Sequence, residues 1–206
     1  ALALGARSSE RVLDACAGRG NKTWILADAV GQTGAVDAAD LYPSKLERLR
    51  DGPFGFAVRQ TFAVDWSVVN DAAPMPPRDY DRVLVDAPCS GTGTLRRRPE
   101  IALHRGADDV TRLSELQTTI VRRAALHVKP GGKLVYAVCS VLREEAENVV
   151  EKLVAEPLSN GMTLSPVPFD SDALRPLAPE GATAMRLLPH VQGTDGYFLA
   201  SFEVKN

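Results

Sequence analysis

The sequence has little that would set it apart from ordinary globular proteins. No run of about 18 apolar residues is present, so no stretch of it reads as a membrane-crossing helix. Ala1 to Ala6 carry neither the basic region nor the long apolar core of a secretory signal. Cysteine is scarce and odd in number: Cys16, Cys89 and Cys139 stand far apart, without the close pairing of a zinc site or the even count of a disulfide framework. Free thiols in a cytoplasmic protein are expected. His104, His127 and His190 have no metal-ligand spacing, and no metal is expected. Positive charge is not in excess either, with 24 Lys and Arg against 26 Asp and Glu and a net charge of −2. That excludes the domain-wide basic surface of an autonomous polyanion binder, so any such contact must be local. Internal repeats and low-complexity segments are also missing.

What remains is 206 residues, 45% of them apolar, enough to bury one sizeable core. A single domain over residues 1–206, monomeric, is the expectation. Strand patterns at Arg11 to Cys16, Gly34 to Asp40, Phe56 to Val64, Asp81 to Asp86 and Lys133 to Cys139 alternate with helix patterns. The helices are predicted over Lys22 to Val30, from Pro43 to Arg50, over Asp109 to His127 and over Glu144 to Ala155. The third spaces apolar residues at Leu113, Leu116, Ile120, Ala124 and Val128, and Lys129-Pro130-Gly131-Gly132 is predicted to stop it. Strands near Met162 to Val167 and Tyr197 to Val204 follow the last helix. This alternation predicts an α/β fold with a mostly parallel sheet and an antiparallel hairpin at its end.

In such a sheet, ligands bind beyond the carboxyl ends of the strands. The unusual residues fall there: Cys16 to Gly20, Asp40, Asp65, Asp86 to Cys89, and Cys139-Ser140. The turn Cys16-Ala17-Gly18-Arg19-Gly20-Asn21-Lys22 is a glycine-bearing loop of nucleotide-binding type. Cys16 and Asn21 stand where a phosphate-binding P-loop needs glycine, and Thr23 replaces the third glycine of a dinucleotide fingerprint. Asp40, at the end of the second strand, suits the two hydroxyls of a ribose, the alternative being a solvated helix cap. Asp65 is placed to meet an adenine amino group.

Two strand-end cysteines, each followed by serine, lie in Asp86-Ala87-Pro88-Cys89-Ser90 and Tyr136-Ala137-Val138-Cys139-Ser140. Taken singly, a free cysteine is more often a buried structural residue. The pair points to chemistry. Carbon 5 of cytosine accepts a methyl group only after a nucleophile adds at carbon 6, and a thiolate suits that attack. A neighbouring carboxylic acid, here Asp86, can protonate ring nitrogen 3 and absorb the charge. Arg96, Arg97 and Arg98 follow directly and are candidates for phosphate contact, against the bland reading of a solvated loop.

These segments resemble the RsmB/Sun (NOL/NOP/Sun-type) family of RNA (cytosine-5)-methyltransferases. The resemblance runs through Val12 to Ala17, Gly34 to Asp40, Asp86 to Gly93, Arg97 to Ile101, Gln117, Lys129 to Ser140, Glu144-Glu145 and Thr194 to Phe198. It implies a Rossmann-like class I methyltransferase fold, S-adenosyl-L-methionine as cofactor and an RNA substrate, rRNA or tRNA. By position it implies Cys139 as nucleophile, Cys89 as the helper that releases product and Asp86 as the ring-polarising acid. Lys22, Asp40 and Asp65 would line the cofactor and active-site pocket, with Cys16 to Lys22 around the methionine end. The first loop departs from the family's Cys-Ala-Ala-Pro-Gly-Gly-Lys-Thr at Gly18, Arg19 and Asn21. Members normally carry further sequence before the first strand, often an RNA-binding domain, so a catalytic domain apart from that region is expected. Competing readings are a methyltransferase acting on DNA or a small molecule, and a non-catalytic RNA-binding or assembly module.

Overall fold

The computed structural model describes residues 1–52, 54–68 and 74–206. Its elements are β1 (Arg11–Asp14), α1 (Asn21–Val30), β2 (Ala35–Asp40), α2 (Pro43–Leu46), β3 (Val58–Ala63), β4 (Tyr80–Asp86), α3 (Ile101–His104), α4 (Ala107–Ala125), β5 (Val128–Val138), α5 (Glu147–Ala155), β6 (Thr163–Pro166), β7 (Ala184–Leu187), α6 (Pro189–Gln192) and β8 (Tyr197–Lys205). They build one sheet of order β3-β2-β1-β4-β5-β8-β6, with β7 also paired to β8. Strands β1 to β5 are mutually parallel, and β8 inserts antiparallel between β5 and β6. The mostly parallel sheet with an antiparallel C-terminal hairpin is therefore as the alternation predicted.

The middles of the central strands, Val83 to Val85 and Leu134 to Val138, are continuously buried because both faces are covered. Val83, Val85, Leu134 and Tyr136 point to the face packed by Ile120, Val121 and Ala124 of α4 and Val149 and Leu153 of α5. Leu84 and Val135, one residue out of phase, join Leu26, Ala27 and Val30 of α1 on the other face. Helix α4 has a defined start, where the Asp109 carboxylate accepts the Gly106 N–H at 3.2 Å. Asp108 and Asp109 in its first turn and Arg122 and Arg123 in its last complement the helix dipole. Truncating its fully packed Ile120 to alanine would remove roughly 2–5 kcal/mol of stability.

Several boundaries differ from the sequence expectation, each for a tertiary reason. Helix α4 ends at Ala125, before Lys129-Pro130-Gly131-Gly132, and Val128 is not its last apolar contact but the first residue of β5. Val128 pairs with Tyr80 and Lys133 with Arg82, so the Pro-Gly-Gly segment is an irregularity inside the β4–β5 ladder. The predicted helix from Pro43 shrinks to α2 plus a 3-10 turn at Leu49–Asp51. The third strand begins at Val58, Gly55–Ala57 being a 3-10 turn. The predicted helix from Glu144 is split, with a 3-10 turn at Arg143–Glu145 before α5. There the Glu145 side chain turns inward to the site described below. Short elements α3, α6 and β7 carry no clear periodicity and were not expected.

The topology reverses direction between β1 and β4: β2 and β3 extend one way, β5 and β8 the other. The crevice at this switch point is where the loops after β1 and β4 separate, and it is the natural ligand site of such a sheet.

Candidate active site

A cavity of about 610 Å³ opens at that crevice, in the size range of small-molecule sites. Its wall takes residues from every strand end that the sequence singled out, including Cys16, Asp40, Asp65, Asp86, Cys89 and Cys139.

The β1 loop is fixed by backbone bonds: the Ala17 N–H donates to Ala39 O at 2.8 Å and the Gly20 N–H to Ala17 O at 2.9 Å. Gly20 has φ +90°, and a Cβ there would lie 2.0 Å from Leu49 Cδ2, so only glycine fits. Of the seven loop residues proposed from sequence, Cys16 and Gly18 line the cavity. Ala17 and Gly20 are buried, Arg19 and Asn21 are exposed, Lys22 is half-buried, and none of these five is on the described cavity wall. The Cys16 thiol is pushed well up by burial and by the charges of Asp14, Asp86 and Asp40, which leaves it inert.

Asp40 closes β2. Its Oδ2 accepts the Gly18 N–H at 2.9 Å and its Oδ1 the Tyr42 N–H at 3.0 Å, with Lys45 Nζ 3.3 Å away. The two backbone bonds use two of roughly four acceptor positions of a carboxylate, and the cavity borders the rest. Exposed Leu41 and Tyr42 extend the wall with apolar surface. Asp65 is exposed at the rim, where its Oδ1 accepts from the Ser67 N–H and hydroxyl at 2.8 and 2.5 Å. A carboxylate for hydroxyls, apolar surface beside it and a glycine loop facing the space fit a nucleoside cofactor.

Asp86 ends β4 and is ion-paired with Lys22, which reaches over from the first turn of α1. Burial works against the Lys22 ammonium, but the charge and hydrogen bond of Asp86 outweigh it and hold the group above its ordinary value. Beneath this pair lies Asp14, fully buried at the end of β1. Its Oδ2 accepts the Thr23 hydroxyl at 2.8 Å, and its Oδ1 has no partner among the described residues. Burial, opposed by the Thr23 bond and reinforced by Asp86, pushes the Asp14 carboxyl up to about 6. Sequence reasoning passed over Asp14, although an acid inside an apolar strand was the available signal.

The two distant cysteines meet. Cys89 Sγ and Cys139 Sγ are 3.2 Å apart, and both thiols are free. The hydrogen bond from Cys89 draws the Cys139 thiol below its ordinary value, against burial and the Asp86 charge. The same bond, with burial, pushes the Cys89 thiol far up. Either sulfur can donate in this contact, so one thiol can hold a proton against the other, the arrangement that supports a thiolate nucleophile.

The loops bearing them are joined by contacts invisible in a linear reading. The Gly93 N–H donates to Cys139 O at 3.1 Å and the Gly196 N–H to Gly93 O at 2.7 Å. A Cβ on Gly93 would lie 2.1 Å from Gly196 O, so glycine is required by close approach. Thr92 and Ser140 hydroxyls are 3.1 Å apart, and the Val141 N–H donates to Thr92 Oγ1 at 3.3 Å.

The arginine cluster is divided. Arg98 lines the cavity together with Arg105, whereas Arg96 and Arg97 are outside the described wall. Arg97 Nε donates to Asp195 Oδ1 at 3.0 Å and its Nη2 to Oδ2, a two-point pair that ties the β4 loop to the turn before β8.

A doubly covered sheet of this order, with its cavity at the switch point and paired thiols on the β4 and β5 ends, defines a Rossmann-like class I methyltransferase fold. A family profile for 16S rRNA methyltransferase RsmB/F matches residues 1–203, and the chain belongs to that family. It is 34% identical over 205 residues to the probable ribosomal RNA small subunit methyltransferase B of Bacillus subtilis (strain 168), covering 100% of this chain and 45% of that protein. It is 30% identical over 210 residues to the 28S rRNA (cytosine(4447)-C(5))-methyltransferase of Homo sapiens, covering 98% of this chain and 26% of that one. The chain thus spans less than half the length of these relatives. Among solved structures it resembles a methyltransferase homolog protein from Pyrococcus horikoshii, with a TM-score of 0.69, 28% identity and coverage of 99% and 64% of the two chains. NSun6 from the same organism, with SFG, shares the fold, with a TM-score of 0.71 at 22% identity and coverage of 98% and 49%.

Proposed function

We propose that this chain is the catalytic domain of an enzyme that transfers a methyl group from S-adenosylmethionine to carbon 5 of a cytosine in ribosomal RNA. The observation that carries this reading is the pair of free thiols, 3.2 Å apart, on one cavity wall with Asp86, which Lys22 holds from behind in an ion pair. Both relatives' names give ribosomal RNA, and the human relative's name gives carbon 5 of cytosine. Transfer RNA remains the other substrate class allowed by the resemblance, and the assay below separates the two.

Asp40 would hold the ribose hydroxyls, Leu41 and Tyr42 the adenine face, and Asp65 the adenine edge. The cofactor supplies an electrophilic methyl group on sulfonium sulfur. Cys139 adds to carbon 6 of the cytosine, forming a sulfur–carbon bond, while the carbon 5–carbon 6 π pair becomes nucleophilic at carbon 5. A proton of the Lys22–Asp86 pair passes through Asp86 to ring nitrogen 3 as negative charge moves into the ring, and nitrogen 3 returns it to the pair when the ring is restored. Carbon 5 takes the methyl as its bond to sulfur breaks. Loss of the carbon 5 proton to a base then restores the double bond and expels Cys139, with Cys89 giving its proton to the departing thiolate.

The test is incubation with cofactor tritiated in its methyl group and, separately, rRNA, tRNA, duplex DNA and a metabolite pool. Label in 5-methylcytosine of rRNA, lost in Cys139→Ala, is the expected result. Label in DNA or metabolites alone would overturn it, and label in tRNA alone would move the substrate class.

A further inference from the structure

Glu145 is completely buried, and it lies neither on the cavity wall nor in contact with either sulfur. Its Oε1 accepts the Ser90 N–H at 2.7 Å and the Gln117 Nε2 at 3.0 Å, and its Oε2 accepts the Ser90 hydroxyl at 2.5 Å. All three partners are neutral donors. Taking a carboxyl group out of water costs stability that hydrogen bonds only partly return, so its place here calls for a role. Gln117, itself completely buried, donates a second bond from Nε2 to Pro88 O at 2.9 Å. The two acceptors on its Nε2 fix the amide's orientation, and its Oε1 lies 2.9 Å from the Tyr136 hydroxyl, which also donates to the Glu145 backbone O at 2.6 Å.

Cys89 is therefore gripped on both sides. The carbonyl before it is held by Gln117 and the N–H after it by Glu145, and those two side chains hold each other. The loop of Cys139 is reached only indirectly, through the 3.5 Å contact of Ser90 and Ser140 hydroxyls.

We propose that Glu145, braced by Gln117, is a positioning residue for the two-thiol pair. It clamps the Cys89 peptide from both sides so that this thiol meets Cys139. The inference rests on the reading of Cys139 as nucleophile and Cys89 as its helper.

The test is the pH-dependent rate of iodoacetamide alkylation at each cysteine of the whole chain, resolved by peptide mass spectrometry without RNA. Cys139 is expected to react much faster than Cys89. Glu145→Gln keeps the shape but sets an NH2 group against a donor where an oxygen now accepts, and it should lower the Cys139-to-Cys89 ratio roughly ten-fold, the scale of one lost buried hydrogen bond. Gln117→Leu removes the other jaw and should lower the ratio in the same direction, so it decides the matter if Glu145→Gln does not fold. Methylation by either variant should show a lower kcat with the KM for S-adenosylmethionine unchanged. Leu153→Ala, a buried change in α5 away from the thiols, serves as the stability control and should keep the native ratio. A native ratio and kcat in folded Glu145→Gln would overturn the proposal, as would an equal shift in Leu153→Ala. The underlying reading fails differently, by methylation surviving in Cys139→Ala.

Discussion

Cys89 and Cys139 lie 50 positions apart in the chain, and their sulfur atoms come within 3.2 Å of each other. Adjacent parallel strands β4 and β5 deliver them to the same end of the sheet, with Asp86 opposite Ala137 in the ladder. A structural role and a chemical role for this pair give different outcomes on mutation. Cys139→Ala should fold, bind cofactor, form no covalent RNA adduct and lose methylation. Cys89→Ala should instead accumulate a protein–RNA adduct that survives denaturing electrophoresis, and the double variant should form none. An adduct in Cys139→Ala would make Cys89 the nucleophile.

Asp40 joins the cofactor wall to the β1 loop through the Gly18 N–H. Asp40→Ala should weaken S-adenosylmethionine binding about ten-fold or more, because a charged acceptor to a hydroxyl is worth roughly 1.5–3 kcal/mol. Calorimetry showing unchanged affinity would remove Asp40 from the site.

Asp14 should make apo-protein stability depend on pH. Its folded-state value of about 6 lies above its ordinary 3.8, so the native state holds the proton more tightly than the unfolded chain. Its favourable contribution is complete below pH 3.8 and disappears as pH rises through about 6. Asp14→Asn should therefore stabilise the apo protein at pH 7 by roughly 2–3 kcal/mol, a gain that fades toward pH 4. Urea unfolding of both forms from pH 4 to 8 measures this, and a constant difference across the range would exclude Asp14 as the titrating group.

The divided arginines predict unequal effects on RNA binding. Arg98→Ala should weaken binding and reduce the slope of log affinity against log salt by about one, as expected for one lost phosphate contact. Arg97→Ala, whose guanidinium is held by Asp195, should leave that slope near native. The isolated chain, with its net charge of −2, should bind RNA weakly in the same filter-binding series. Tight binding that survives replacement of Arg96, Arg97 and Arg98 together would place the RNA surface elsewhere.

The sequence by itself determined the α/β alternation, the strand ends on which chemistry falls and the pairing of Pro88-Cys89-Ser90 with Cys139-Ser140. These are local signals: an apolar strand such as Val83-Leu84-Val85 announces itself, and the residue that ends it is read off directly. Local pattern could not decide where α4 stops, because Val128 fits the helical spacing equally well and only pairing with Tyr80 draws it into β5. Nor could it separate Arg97 from Arg98, neighbours in the chain, of which Arg97 pairs with distant Asp195 while Arg98 pairs with nearby Glu100 and lines the cavity. Lys22 was legible as a loop residue, but its bond to Asp86 exists only because β1 and β4 lie side by side. Glu145 was the least legible of all. In sequence it is one acid of a Glu-Glu pair at a predicted helix start, where solvent exposure is the default. The tertiary structure buries it, because the Ser90 N–H, the Ser90 hydroxyl and the Gln117 amide, brought together from two other segments, need an acceptor at that point and Glu145 is the side chain that reaches them.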